Sequence, residues 1–211
     1  MRIFIDSANF DEIKACYHTG LIDGVTTNPS LIKKSQRDPM QVYRDLVALG
    51  IPDISMEVMG SYSEMVEDAL VLHEEFDKVA TIKLPMTPDG LNVCSYLNSL
   101  GIRTNVTLVF NAAQALLAAK AGATYVSPFV GRIDDQGYAG LEVVRLIAGL
   151  YAQTGQSTQV LAASIRTPHR VVRSFFNGAS ICTLPPAVFH QMYTNVLTDV
   201  GLDIFERDAN S

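Results

Sequence analysis

Residues 79–108 read VATIKLPMTPDGLNVCSYLNSLGIRTNVTL, and this stretch decides the fold. It begins with a short apolar run, 79–84, of the kind that forms a buried strand. Thr87-Pro88 then opens a helix that runs to residue 100: threonine suits the cap, and proline the first helical turn. A second apolar, β-branched run follows at 103–108. Strand, helix, strand is the repeating unit, and it recurs in both directions along the chain.

Toward the N-terminus, 2–5 is a strand, and Ser7 or Asn9 caps the helix after it. The run 24–27 is a strand, with a helix at 40–49; 54–58 is another, with Ser61 capping a helix through residue 76. Toward the C-terminus, 103–108 is followed by an alanine-rich helix at 111–121. Strands at 124–129, 159–163 and 180–183 precede helices at 140–154, 168–176 and 185–193. A last helix, 196–207, is left over. Eight strand–helix units in 211 residues, about 26 each, with no linker between them, form one domain. The strands read as continuous apolar runs, as parallel strands covered by helices should. The prediction is an α/β fold, a (β/α)8 TIM barrel over residues 1–195 with an extra C-terminal helix and tail over 196–211. The alternative is an open doubly wound sheet, but no GxGxxG follows the first strand.

The chain is 48% hydrophobic and 18% charged, which excludes a disordered polymer. A domain this long buries about 70% of its unfolded surface and needs no disulfide or metal staple. The net charge of −6 argues against nucleic-acid and anionic-membrane partners. Cys16, Cys94 and Cys182 are too scattered for a metal site or a disulfide framework and suit a reducing compartment. No apolar run approaches the ~20 residues of a membrane span. With no charged-then-apolar signal pattern at the start, the expectation is a cytoplasmic protein without metal or cofactor.

In a barrel the chemistry sits where the strands end. The runs end in or carry Asp6, Thr26-Thr27-Asn28-Pro29-Ser30, Glu57, Lys83, Asn105 with Thr107, Ser127-Pro128-Phe129 with Arg132 beyond, and Ser164 with Arg166. Seven of the eight strands thus bring a polar group to one rim. Lys83 stands between Ile82 and Leu84. A low-dielectric barrel mouth favours the neutral form of an amine, and a neutral amine attacks a ketone carbonyl to give a Schiff base. The plain alternative is a lysine snorkelling to solvent. Asp6 and Glu57 are costly inside apolar strands unless they are paired or work as acid and base. Alternatively they bind backbone amides or an arginine. Arg132, Ser164 and Arg166 suggest an anion site, because guanidinium forks match phosphate; a surface ion pair is the other reading. His18, His73, His169 and His190 fall in helical segments away from the strand ends, without ligand spacing.

Several ordered segments resemble one family. They are Phe4-Ile5-Asp6-Ser7-Ala8-Asn9, Gly24-Val25-Thr26-Thr27-Asn28-Pro29-Ser30-Leu31, Ile82-Lys83-Leu84-Pro85-Met86-Thr87, Asn105-Val106-Thr107-Leu108, Ala113-Gln114-Ala115, 126–134 (VSPFVGRID) and Ala162-Ala163-Ser164-Ile165-Arg166. From residue 1 to about 200 the chain resembles the short-chain transaldolase family, which also contains the fructose-6-phosphate aldolases. The resemblance implies a barrel with a metal-free Schiff-base mechanism. Under it, Lys83 is the Schiff-base lysine and Asp6 the acid/base for the donor's hydroxyl proton. Glu57 and Thr107 hold the catalytic water. Asn28, Asn105 and Ser127 bind the dihydroxyacetone unit. Arg132, Ser164 and Arg166 grip the sugar phosphate. The family's usual reaction moves dihydroxyacetone from a ketose phosphate to an aldose phosphate.

Glutamate at 57 and phenylalanine at 129 resemble the transaldolase branch; the aldolases carry glutamine and tyrosine there. Three rival readings are an aldolase releasing free dihydroxyacetone, a deoxyribose-phosphate-type aldolase, and a silent barrel kept for assembly or sensing. The run 26–29 and the position of Glu57 do not suit the second, and the complete candidate set disfavours the third. Short relatives form rings, pentamers or decamers. Leu197, Val200, Leu202, Ile204 and Phe205 give helix 196–207 an apolar face for a neighbouring subunit or for its own barrel. A homo-oligomer is therefore expected.

Overall fold

A computed structural model describes residues 1–210. Eight parallel strands close into a barrel in chain order: β1 (Arg2–Asp6), β2 (Gly24–Thr26), β3 (Ile54–Glu57), β4 (Ala80–Pro85), β5 (Thr104–Val109), β6 (Tyr125–Pro128), β7 (Gln159–Ala162) and β8 (Ile181–Leu184), with β8 paired back onto β1. Every strand lies within a residue or so of its sequence prediction. Around them lie α1 (Phe10–Tyr17), α2 (Pro29–Ser35), α3 (Pro39–Ala48), α4 (Tyr62–Phe76), α5 (Pro88–Ser99), α6 (Ala112–Lys120), α7 (Val130–Asp135), α8 (Gly140–Thr154), α9 (Pro168–Phe176), α10 (Pro186–Gln191) and α11 (Val196–Ala209).

The predicted caps take their places. Thr87 accepts from the Gly90 amide, Thr167 from the Arg170 amide, and Ser61 forms a capping box with Glu64. Between the two candidates for α1, Asn9 is the cap, while the Ser7 hydroxyl accepts from the Asn9 amide. Two short helices add to the sequence reading. Asn28 caps α2 and Pro29 fills its first turn, a signature hidden inside what reads as the polar end of the second strand. The α7 helix follows Phe129 with no side-chain cap and so carries no sequence signal. Both begin directly after a strand, at the C-terminal rim.

The strands are continuously apolar only on the side that faces the helices, and the inner side is mostly polar, which corrects the reading as continuous apolar runs. Successive side chains point to opposite faces. Ile3, Ile5, Ile82, Leu84, Val106 and Val126 face the helices, where the main core lies. The opposite face turns into the barrel. There Phe4, Tyr125, Leu161 and Ile181 pack into a small separate cluster. Gly24 makes room for it: a Cβ at that position would lie 2.7 Å from the Phe4 ring and 2.7 Å from the Asp53 carbonyl oxygen.

At the N-terminal end of the barrel, a polar network closes on buried Asp53. Its carboxylate accepts from the Thr81 hydroxyl at 2.8 Å, the Arg103 guanidinium at 2.9 Å and the Tyr125 hydroxyl at 2.7 Å. Arg2 donates to Tyr125 and Gln159 and stacks over the Tyr125 ring. Burial and the Asp53 charge push the Tyr125 phenol up, so it remains a donor. Asp53→Ala would leave two arginines facing a buried gap. It should cost about 3–5 kcal/mol, read as a lowered urea midpoint; a loss within about 0.5 kcal/mol, the scale of an ordinary surface substitution, would show that this network does not hold the barrel's lower end.

Candidate functional site

The C-terminal ends of the strands surround a pocket lined by Asp6, Thr26, Asn28, Lys83, Thr107 and Ser127. Register brings its groups together. Glu57 on β3 pairs with Lys83 on β4, and Lys83 pairs with Asn105 on β5. Asp6 on β1 pairs with Thr26 on β2. In-register neighbours of parallel strands share a face, so all five point inward. The sequence shows Lys83 between Ile82 and Leu84 because those two neighbours face the helices instead.

Lys83 is 5% exposed, so it does not snorkel to solvent. Its ammonium donates to the Thr27 carbonyl at 2.8 Å and lies 2.9 Å from Glu57 Oε2. That carboxylate stands at proton-transfer distance from the amine. Glu57 Oε2 has the ion contact but no aligned hydrogen bond, and the Thr107 hydroxyl is buried without any partner. Thr107 lines the pocket, where an entering polar molecule would give its hydroxyl a partner. Glu57 itself lines not this pocket but a neighbouring cleft, shared with Asn28, Tyr43 and Met59, and reaches the pocket through Lys83. The buried Tyr43 hydroxyl bonds Thr27 at 3.2 Å, bracing the turn whose carbonyl holds Lys83. Burial, aided by the Glu57 charge, pushes its phenol up.

Across the pocket, Asp6 Oδ1 accepts from the Thr26 hydroxyl at 2.8 Å. Thr26 in turn lies 2.6 Å from the Thr183 hydroxyl on β8. Ser127 donates to Asn105 Oδ1 at 2.7 Å, and the Asn105 amide donates to Ser55 at 3.1 Å. Asn28 uses its side-chain oxygen to cap α2, which leaves its amide NH2 to face the pocket. Thr183 and Tyr43 are absent from the sequence-derived candidates, and Thr26 stands among them only as part of the second strand's polar end, with no role assigned. The eighth strand is the one without a polar end in the sequence reading, yet Thr183 follows Ile181 by two, and Ile181 faces inward. That two-residue parity was the available signal.

The phosphate candidates are brought together only in part. Arg132 and Ser164 line the pocket. The Arg132 guanidinium lies over the Phe129 ring, 4.9 Å from its centroid, and Phe129 packs on Phe110. Ser164 takes a left-handed backbone at φ +59°, and its carbonyl accepts from the Gly131 amide at 3.0 Å. A Cβ at Gly131 would lie 2.3 Å from that carbonyl oxygen, so only glycine allows this approach. Arg166 does not line the pocket. Its exposed guanidinium forms a bidentate pair with Asp135, which holds that carboxyl below its usual range. As placed here, Arg166 makes the surface ion pair that the sequence offered as its other reading. Cys16, Cys94 and Cys182 are buried free thiols. Among the described residues no helix is long and apolar enough to cross a membrane.

A closed parallel barrel with a buried lysine, a paired glutamate and a facing aspartate at the C-terminal strand ends puts the candidate site at the top face, where barrel enzymes carry their chemistry. Comparison with known proteins gives the family. The transaldolase/fructose-6-phosphate aldolase family model matches residues 3–210. A probable transaldolase of Symbiobacterium thermophilum is 47% identical over 209 residues, covering 99% of this chain and 96% of the relative. One from Caldicellulosiruptor saccharolyticus is 48% identical over 210 residues, with the same coverage. One from Geobacillus thermodenitrificans is 45% identical over 214 residues, covering 100% of this chain and 99% of the relative. The chain belongs to the transaldolase/fructose-6-phosphate aldolase family.

Burial raises the Asp6 carboxyl above its ordinary value, outweighing Lys83, the Thr26 hydrogen bond and Arg132, which lower it. The folded state therefore holds this proton more tightly than the unfolded chain, and the ionised carboxylate costs stability. The cost is absent below the unfolded-chain pKa and complete above the raised folded one. Asp6→Asn should raise the urea midpoint at pH 7, with the gain fading as the pH falls through that window. A gain of constant size across pH would point to another cause.

Proposed function

We propose that the chain is a transaldolase. It moves a dihydroxyacetone unit from a ketose phosphate, sedoheptulose 7-phosphate or fructose 6-phosphate, to glyceraldehyde 3-phosphate or erythrose 4-phosphate, as in the pentose phosphate pathway. The observation that carries this is the buried Lys83 amine, 2.9 Å from Glu57, in one pocket with Asp6.

In this reading Glu57 takes the ammonium proton, and the neutral amine attacks the ketose carbonyl carbon. The carbinolamine loses its hydroxyl as water, with a proton returned through Glu57 and Thr107, and a protonated imine remains. Asp6 removes the proton of the hydroxyl two carbons away. The bond from that hydroxyl-bearing carbon to the carbon beside the imine breaks, the aldose phosphate leaves, and the electron pair moves to the imine nitrogen as an enamine. Asn28, Asn105 and Ser127 hold the hydroxyls of the bound unit while the acceptor aldehyde enters. The steps then run in reverse. Arg132 and Ser164 receive the phosphate at the mouth. Arg166 joins them by leaving Asp135, since an exposed ion pair is weak and readily exchanged. A net charge of −6 does not oppose this, because one phosphate needs only cations placed locally.

An aldolase that frees dihydroxyacetone is the second reading, and the matched family contains both activities. Phe129 and Glu57 favour transfer. Phe129 packs between Arg132 and Phe110 and offers no hydroxyl to hold a water that would protonate the enamine. Borohydride reduction beside fructose 6-phosphate should leave a mass adduct on Lys83 that Lys83→Ala loses. Sedoheptulose 7-phosphate should form only when erythrose 4-phosphate is added, with little free dihydroxyacetone. No adduct would end the Schiff-base reading; rapid release of dihydroxyacetone without acceptor would assign the aldolase.

The same reading includes a homo-oligomer, a pentamer or decamer, in the cytoplasm. None of the α11 residues is buried: Leu197 is 75% and Phe205 71% exposed. A helix with this apolar face calls for a second copy to cover it. Light scattering should give a mass of five or more chains for the full protein and a smaller one when it is cut after Asn195. A full-length monomer would end the ring proposal.

A further inference from the structure

Two polar groups of the pocket have no task in the mechanism above: Thr26 and, behind it, the Thr183 hydroxyl on β8. It is 3% exposed, and Thr26 is its hydrogen-bond partner, at 2.6 Å. The bond itself has no fixed direction, but its surroundings set one. A threonine hydroxyl has a single proton and two lone pairs. Thr26 gives its proton to Asp6 Oδ1, a carboxylate oxygen that only accepts. Thr26 must then receive in its contact with Thr183, so Thr183 donates. Two hydroxyls in series thus run from β8 through β2 to β1: Thr183 donates to Thr26, and Thr26 to Asp6 Oδ1. No protein donor among the described residues reaches the other oxygen, Oδ2.

We infer that Thr183 is a positioning residue for the reaction, acting on Asp6 through Thr26. Resting on the reading of Asp6 as the group that takes the substrate proton, it has two effects. It keeps the Thr26 proton aimed at Oδ1, so that Oδ2 is the oxygen that meets the substrate hydroxyl. It also strengthens the Thr26 donation, because hydrogen bonds in a chain polarise one another. The second effect helps to hold Asp6 ionised against burial. Other charges facing Asp6 act on the same proton: Lys83 from β4 and Arg132 from α7 across the pocket, and Glu12 of α1 and Lys34 of α2 around the adjoining cleft. None of them sets which oxygen faces the substrate; the two threonines do.

Thr183→Val keeps the shape and removes the donor, and Thr183→Ser keeps the donor. Carbon-13 NMR of the Asp6 carboxyl in the ligand-free protein reads the effect without any turnover. In Thr183→Val the carboxyl should titrate at higher pH than in the native protein, and in Thr183→Ser at the native value. The transfer rate should follow. Thr183→Val should lose about five- to tenfold in kcat, the scale of one buried hydrogen bond, with KM little changed, and the acid limb of its pH profile should move up. Thr183→Ser should restore both. An Asp6 titration unchanged in Thr183→Val, or a loss that serine does not restore, overturns the inference. Failure to trap a Lys83 adduct in the native protein strikes the transaldolase reading instead, and the carboxyl titration still decides whether Thr183 governs Asp6.

Discussion

Below its mouth a closed barrel has no interior face open to water, so whatever its strands point inward there must be satisfied by other inward groups. Everything else in this structure follows from that constraint. Half of every strand belongs to it, because side chains alternate. The outer half is apolar and packs under the helices. The inner half is polar over most of its height, from Asp53 and Thr81 at one end to Asp6, Lys83 and Thr183 at the other.

The two ends meet the constraint in opposite ways. At the N-terminal end Asp53 draws donors from Thr81, Arg103 and Tyr125, and the network closes on itself. Nothing there is left to offer a ligand. At the C-terminal end the accounting stays open. Glu57 Oε2 and the Thr107 hydroxyl are buried without an aligned partner, Asp6 is held above its ordinary pKa by burial, and Ser164 sits in a left-handed backbone. Each of these costs stability in the free protein. A buried group left without a partner gains one when a polar molecule enters. The closed end keeps the barrel together, and the open end gives it something to bind.

Much of this was legible in the chain. Thr87-Pro88 and Thr167-Pro168 mark helix starts because their chemistry is local. Lys83 stands out because a lysine flanked by Ile82 and Leu84 cannot belong to the helix-facing side of its strand. Residues failed to show themselves where their environment came from distant segments. Thr183 looks like any strand threonine until β8 closes against β1 and meets Thr26. Asp53 reads as a loop residue before β3 until Arg103 and Tyr125, from β5 and β6, arrive at its carboxylate. Arg166 reads as a phosphate ligand by its position after β7, and only the placement of Asp135 on α7 shows where its guanidinium rests.

By itself, then, the sequence determined the eight strand–helix units, their order and the polar residues at their ends, since apolar periodicity, caps and strand parity act over a few neighbours. The tertiary structure alone decided which of those groups touch. Closure of the barrel sets Glu57 against Lys83 and Thr183 against Thr26, and it leaves α11 outside with its apolar face uncovered. Those contacts depend on register and curvature summed around eight strands, and no local stretch of chain contains that sum.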